Sequence, residues 1–158
     1  MTAVLSPNRV RYLLDEVVDP EIPVLTIADI GILRGVAVAG DEVVVTITPT
    51  YTGCPAMDLI RSQIRSVLSA AGAREVRIET VFSPPWTTDW MTLDAKRKLE
   101  RSGIAAPGGV TAGPVEPPLC PRCRSTDTVV VSEFGSTACK ALVVCSSCGE
   151  PFDLFKAH

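Results

Sequence analysis

The residues best able to do chemistry in this chain are its six cysteines. Four form two Cys-x-x-Cys pairs, Cys120-Pro121-Arg122-Cys123 and Cys145-Ser146-Ser147-Cys148, with 21 residues between the pairs. Two short loops at this spacing can present four thiolates tetrahedrally, and Zn²⁺ favours that donor set. The spacing therefore predicts one structural zinc per chain. Rubredoxin-type iron or an iron–sulfur cluster uses the same ligands, and a redox dithiol is a third use of either pair.

Cys54 stands apart, in Thr50-Tyr51-Thr52-Gly53-Cys54-Pro55. Pro55 suits the first position of a helix, which places Cys54 at the N-cap. Unpaired N–H groups and the helix dipole both favour negative charge there, so a thiol becomes a thiolate, nucleophile or metal ligand more readily. The competing role is that of a small buried apolar group. Cys139, beside Lys140, has the same two readings: a thiolate steadied by the ammonium, or a packed thiol.

These cysteines need elements to position them. Val43, Val45 and Ile47 alternate with Val44, Thr46 and Thr48, the period of a strand over 42–48. After Cys54, Met57, Ile60, Ile64, Val67, Leu68 and Ala71 mark one face of a helix that Gly72 closes. Ser6-Pro7 begins an earlier helix with Val10, Leu13, Leu14 and Val17 on its apolar side, and Asp19-Pro20 ends it. A helical turn over 26–29, a strand over 32–38, a hairpin turn at Gly40-Asp41, a strand over 75–80 and a helix over 92–101 complete an α+β domain. Asp19, Glu21 and Asp29 fit either acid–base or capping and turn roles. Trp86 and Trp90 read as packing residues, with a partner surface as the rival use.

Proline and glycine then crowd the stretch 104–118, a linker. The domain limits expected are 1–105, a linker at 106–118 and a ribbon at 119–158. Strands over 128–133, 141–144 and 152–155 frame the paired cysteines as a zinc ribbon. So small a unit cannot stabilise itself by apolar burial, and the metal becomes part of its folding.

Of the 158 residues, 46% are hydrophobic and only 5% aromatic, an aliphatic globular composition. The net charge of −3, without a basic stripe, argues against nucleic acid as a partner. No run approaches the about 18 apolar residues of a membrane span, and no basic leader opens the chain; a cytoplasmic location is expected. In a reducing compartment six cysteines point to metal or redox chemistry before disulfides. The single histidine, His158, is terminal and reads as frayed. With that one histidine the chain cannot assemble the usual di-iron oxygenase ligand sphere, and it shows neither a dinucleotide fingerprint nor a nucleotide-binding loop.

Asp19-Pro20-Glu21, Asp29-Ile30-Gly31-Ile32-Leu33, Gly53-Cys54-Pro55 and Pro84-Pro85-Trp86 follow in an order that resembles the SufT-like metal–sulfur cluster biosynthetic family. Residues 49–56, 83–91 and 134–142, with Glu150-Pro151-Phe152, resemble one branch of it, the D subunits of the bacterial phenylacetyl-CoA 1,2-epoxidase system (PaaD-like, also known as the J subunits of phenylacetate-CoA oxygenase). The resemblance implies a small iron–sulfur-assembly-like α/β sandwich followed by a zinc ribbon. It also implies an accessory role in phenylacetate catabolism, assisting iron or iron–sulfur insertion into a di-iron oxygenase and an iron–sulfur reductase. Cys54 would then be the family's reactive cysteine, and Cys120, Cys123, Cys145 and Cys148 the ribbon ligands.

One cysteine cannot hold a cluster that takes four ligands. A transient cluster at Cys54 therefore needs Cys139, a small thiol, a second copy of the chain or a client. Two rival functions remain open on the residues alone: a structural component of the epoxidase that handles no metal, and a thiol–disulfide oxidoreductase pairing Cys54 with Cys139.

Overall fold

A computed structural model describes residues 5–108 and 116–157. The N-terminal four residues, the centre of the proline- and glycine-rich stretch and His158 lie outside the described residues. The chain folds as two compact units that divide after Trp86.

In the first unit, α1 (Pro7–Leu14) starts where the Ser6 hydroxyl accepts the Arg9 N–H. It is shorter than its apolar periodicity predicts, because the chain leaves the helix before Val17, which is buried nonetheless. The Asp19 carboxylate accepts the N–H groups of Glu21 and Ile22 at 2.7 and 2.9 Å and so holds the turn that Pro20 opens. Thr26 and Asp29 bond each other's backbone N–H reciprocally, which makes the expected single helical turn.

Strands β1 (Leu33–Ala39) and β2 (Glu42–Ile47) form the hairpin across Gly40, whose φ of 62° only glycine adopts easily. Helix α2 (Ala56–Ala70) follows, and β3 (Glu75–Thr80) returns parallel to β2, giving the sheet order β1-β2-β3. Val43, Val45 and Ile47 on the inward face of β2 and Ile60, Ile64 and Leu68 on α2 are all fully buried. The strand period of two and the helix period of 3.6 thus meet in one aliphatic core. Trp86 is a packing residue, its ring buried and its Nε1–H donated to the Ile30 carbonyl at 2.8 Å.

The second unit begins with a short 3-10 turn, Thr88–Trp90, and α3 (Leu93–Arg101), capped by the Thr92 hydroxyl. Four strands form its sheet: β4 (Ile104–Ala105), β5 (Thr128–Ser132), β6 (Lys140–Cys145) and β7 (Pro151–Phe155), in the order β4-β7-β6-β5. The start of the stretch read as linker is therefore strand, since Ile104 and Ala105 pair in parallel with Asp153 and Leu154. No helix among the described residues is long and apolar enough to cross a membrane.

Candidate functional site

Cys54 lies in the connection from the carboxyl end of β2 to α2. The start of that connection is fixed on both sides: the Thr48 N–H donates to Ile32 O at 2.9 Å, and the Val81 N–H donates to Ile47 O at 2.9 Å. Gly53 has φ 79°, which turns the chain back toward the helix. The Cys54 N–H then donates to Tyr51 O, and its own carbonyl accepts from Met57 N–H, both at 3.3 Å. The N-cap is Pro55 rather than Cys54, one residue later than the sequence predicts. Its φ of −68° serves a cap or a first helical residue equally well.

The sulfur is half-buried and lines an open hollow of about 270 Å³ with Pro49, Met57, Arg61, Thr80 and Phe82. Arg61 stands on α2, seven residues beyond Cys54, and lines the same hollow. It is fixed there, with Nη1 2.8 Å from Asp58 Oδ1 and Nη2 donating to Thr80 Oγ1 at 3.0 Å. Phe82 forms an exposed apolar rim. Neither Arg61 nor Phe82 is singled out by sequence reasoning.

Partial burial pushes the Cys54 thiol above its ordinary value. The Ala56 N–H opposes this, the Glu21 carboxylate adds to it, the Tyr51 side chain opposes it and Asp19 adds to it again. The balance runs against the thiolate expected at a helix end, because lost hydration and two acidic neighbours outweigh the Ala56 N–H and the Tyr51 side chain. The same carboxylates favour a cation beside the sulfur, and cation binding drives the proton off.

The four paired cysteines meet at one point, with all four sulfurs within 4.8 Å of one another. Cys120 Sγ is 3.7 Å from Cys148 Sγ, and Cys123 Sγ is 3.6 Å from Cys145 Sγ. A regular tetrahedron with metal–sulfur bonds of about 2.3 Å has edges of about 3.8 Å, so the quartet fits a single tetrahedral ion. The two loops repeat one geometry. Arg124 N–H donates to Cys120 O at 2.9 Å and Gly149 N–H to Cys145 O at 2.8 Å. Arg124 at φ 64° and Gly149 at φ 77° occupy the same left-handed position. Cross-links between the loops are Arg122–Glu150 at 2.8 Å and Ser125–Ser147 at 2.8 Å.

Without a cation the quartet cannot carry four charges at neutral pH. Burial raises the Cys120 thiol, but the N–H groups of Cys123 and Arg122 and the adjoining sulfurs bring it down to about 7. The Glu150 N–H lowers Cys148, yet burial and the other three sulfurs push it up to about 12. Metal binding at this site therefore releases protons.

Cys139 is buried in the loop before β6, outside the quartet, with its sulfur 3.0 Å from the Thr137 hydroxyl. Lys140 faces Asp153 at 3.7 Å, so its ammonium has an acidic partner of its own. Cys54 and Cys139 belong to different units.

Residues 7–80 match the family described as iron–sulfur cluster assembly protein, and residues 105–156 match the PaaD zinc beta ribbon domain. A protein of Escherichia coli (strain K12), provisionally named as the D subunit of 1,2-phenylacetyl-CoA epoxidase, is 47% identical over 98% of this chain and 96% of its own length. An Fe-S protein maturation auxiliary factor of Porphyromonas gingivalis is 40% identical over 55% of this chain and 84% of its own length. A solved domain of unknown function from Bacillus anthracis superposes with a TM-score of 0.55 at 32% identity, over 59% of this chain and 90% of that one. A conserved hypothetical protein of Thermotoga maritima superposes with a TM-score of 0.54 at 26% identity, over 63% and 98%.

Proposed function

The chain belongs to the family of the phenylacetyl-CoA epoxidase D subunits, within the SufT-like group, and on that premise we propose that it is a maturation factor. Its clients are the epoxidase components, a di-iron oxygenase and an iron–sulfur reductase, and its cargo is iron or an iron–sulfur cluster. The observation that carries this reading is the half-exposed Cys54 sulfur, at the edge of an open hollow and near two carboxylates that favour a cation.

Cys54 holds the cargo through one bond, as a handover requires, and the remaining ligands come from the client, a small thiol or a second copy of the chain. The fixed Arg61 guanidinium, still carrying N–H donors beyond the two bonds described, faces the negative charge of such an assembly. Zn²⁺ on Cys120, Cys123, Cys145 and Cys148 ties the two loops together and takes no part in the transfer. The ribbon is the module that docks to the client. Cys139 serves as a packed thiol in this scheme.

Metal and sulfide analysis after anaerobic purification tests the reading. Wild type is expected to carry one zinc and additional iron, and Cys54→Ser one zinc and no iron. Client iron content and epoxidase activity in cells should fall in the same variant. Unchanged client iron would transfer the family role to a structural component that handles no metal.

A further inference from the structure

Five of the ten large exposed hydrophobic residues among the described ones lie between residues 119 and 134: Leu119, Val129, Val130, Val131 and Phe134. Three are consecutive in β5, which stands at the end of its sheet with β6 as its one strand neighbour among the described residues. An edge strand offers alternate N–H and C=O groups outward, and proteins commonly blunt such an edge with lysine, proline, an inward charge or a bulge. Thr128-Val129-Val130-Val131-Ser132 contains no lysine, no proline and no charged residue. Its one irregularity, the register shift between Val130 and Ser132, leaves Thr128, Val129 and Val130 in regular pairing with β6.

Phe134 extends the patch as an exposed but fixed aromatic. The Ser132 hydroxyl donates to Phe134 O at 2.9 Å and accepts its N–H at 3.2 Å. Lys156 Nζ sits 4.6 Å from the ring centroid and donates to Glu133 O at 2.9 Å. An ordered aromatic at the rim of an apolar strip is the usual form of a binding anchor.

Charge decides which strand fits. Exposed Asp127 and Glu133 bracket β5 at its two ends. A second copy laid antiparallel along β5 would bring the Asp127 end of each chain to the Glu133 end of the other, like charges at both ends. A segment with Lys or Arg at its ends meets the same acids favourably. We propose that β5 is a docking edge, and that it takes an extended, β-branched segment of the client, flanked by basic residues, as an added strand of the ribbon sheet. This rests on the ribbon's being the docking module of the reading above.

The test uses the full-length, zinc-loaded protein and a labelled peptide, Lys-Val-Thr-Val-Thr-Val-Lys, with a Glu-flanked copy and a copy N-methylated at alternate residues. At low salt the Lys-flanked peptide should bind about tenfold more tightly than the Glu-flanked one, and N-methylation should abolish binding. Amide exchange at Val129, Val130 and Val131 should slow on binding. Val130→Lys should weaken binding at least about tenfold, with zinc content reporting that the ribbon is folded; Val130→Thr, a milder change, should weaken it less. Cys54→Ser should bind like wild type, so an iron role that fails leaves this measurement standing, and the reverse. Equal binding of both peptides, or no change at the β5 amides, overturns the proposal. So does a concentration-dependent dimer that Val130→Lys dissolves, because the occupant is then a second copy.

Discussion

In the first unit Leu14, Ile27, Ile47, Ile60, Ile64 and Leu68 are all fully buried. In the second, the buried cluster around the cysteine loops is Ala105, Cys120, Val143, Cys145 and Phe152, two of them sulfur donors. The first unit's one cysteine, Cys54, stands half-buried outside that hydrocarbon, whereas four of the second unit's five cysteines converge at one point inside or beside the cluster. On the proposed reading, a cysteine's role here follows from what else surrounds it in its unit, rather than from the reactivity of the thiol.

The sharpest way to break this contrast is to remove the metal. Cys145→Ser, or a strong chelator, should unfold the ribbon strands with a loss on the order of 10 kcal/mol of metal-linked stability. The amide signals of Lys140–Cys145 should collapse in NMR while those of Glu42–Ile47 persist. A ribbon that kept its structure would show that its apolar cluster suffices. The reciprocal change is Ile64→Ala, expected to cost the first unit about 2–5 kcal/mol in denaturant unfolding and to leave zinc content unaltered.

The smallest effect concerns the free sulfur. Because Cys54 lies above an ordinary thiol in pKa, its alkylation by iodoacetamide should be slow at neutral pH and rise about tenfold per unit of pH. Glu21→Gln removes a charge that raises this pKa, so it should lower the pKa and speed alkylation near neutrality by a few-fold. No change would mean that burial alone sets the sulfur's reactivity.

Much of this organisation is readable in the chain. The two Cys-x-x-Cys pairs converge as their spacing requires, and alternation locates β2, β3 and the ribbon strands to within a residue or so. Local patterns carry those features. The raised pKa of Cys54 is different, because it depends first on burial and then on Glu21 and Asp19, which belong to a turn more than thirty residues upstream. Strand β4 was hidden for another reason: two residues have no periodicity, and only pairing with β7 makes them a strand.

One consequence follows from how the Cys54 segment is anchored. Ile47 and Thr48 are pinned to Val81 and Ile32, Pro49 and Pro55 stiffen both ends of the loop, and α2 locks down through Arg61 and Thr80. The sulfur is on a short leash. In the proposed handover, delivery and collection therefore happen at a fixed berth, and any travelling is done by the other protein.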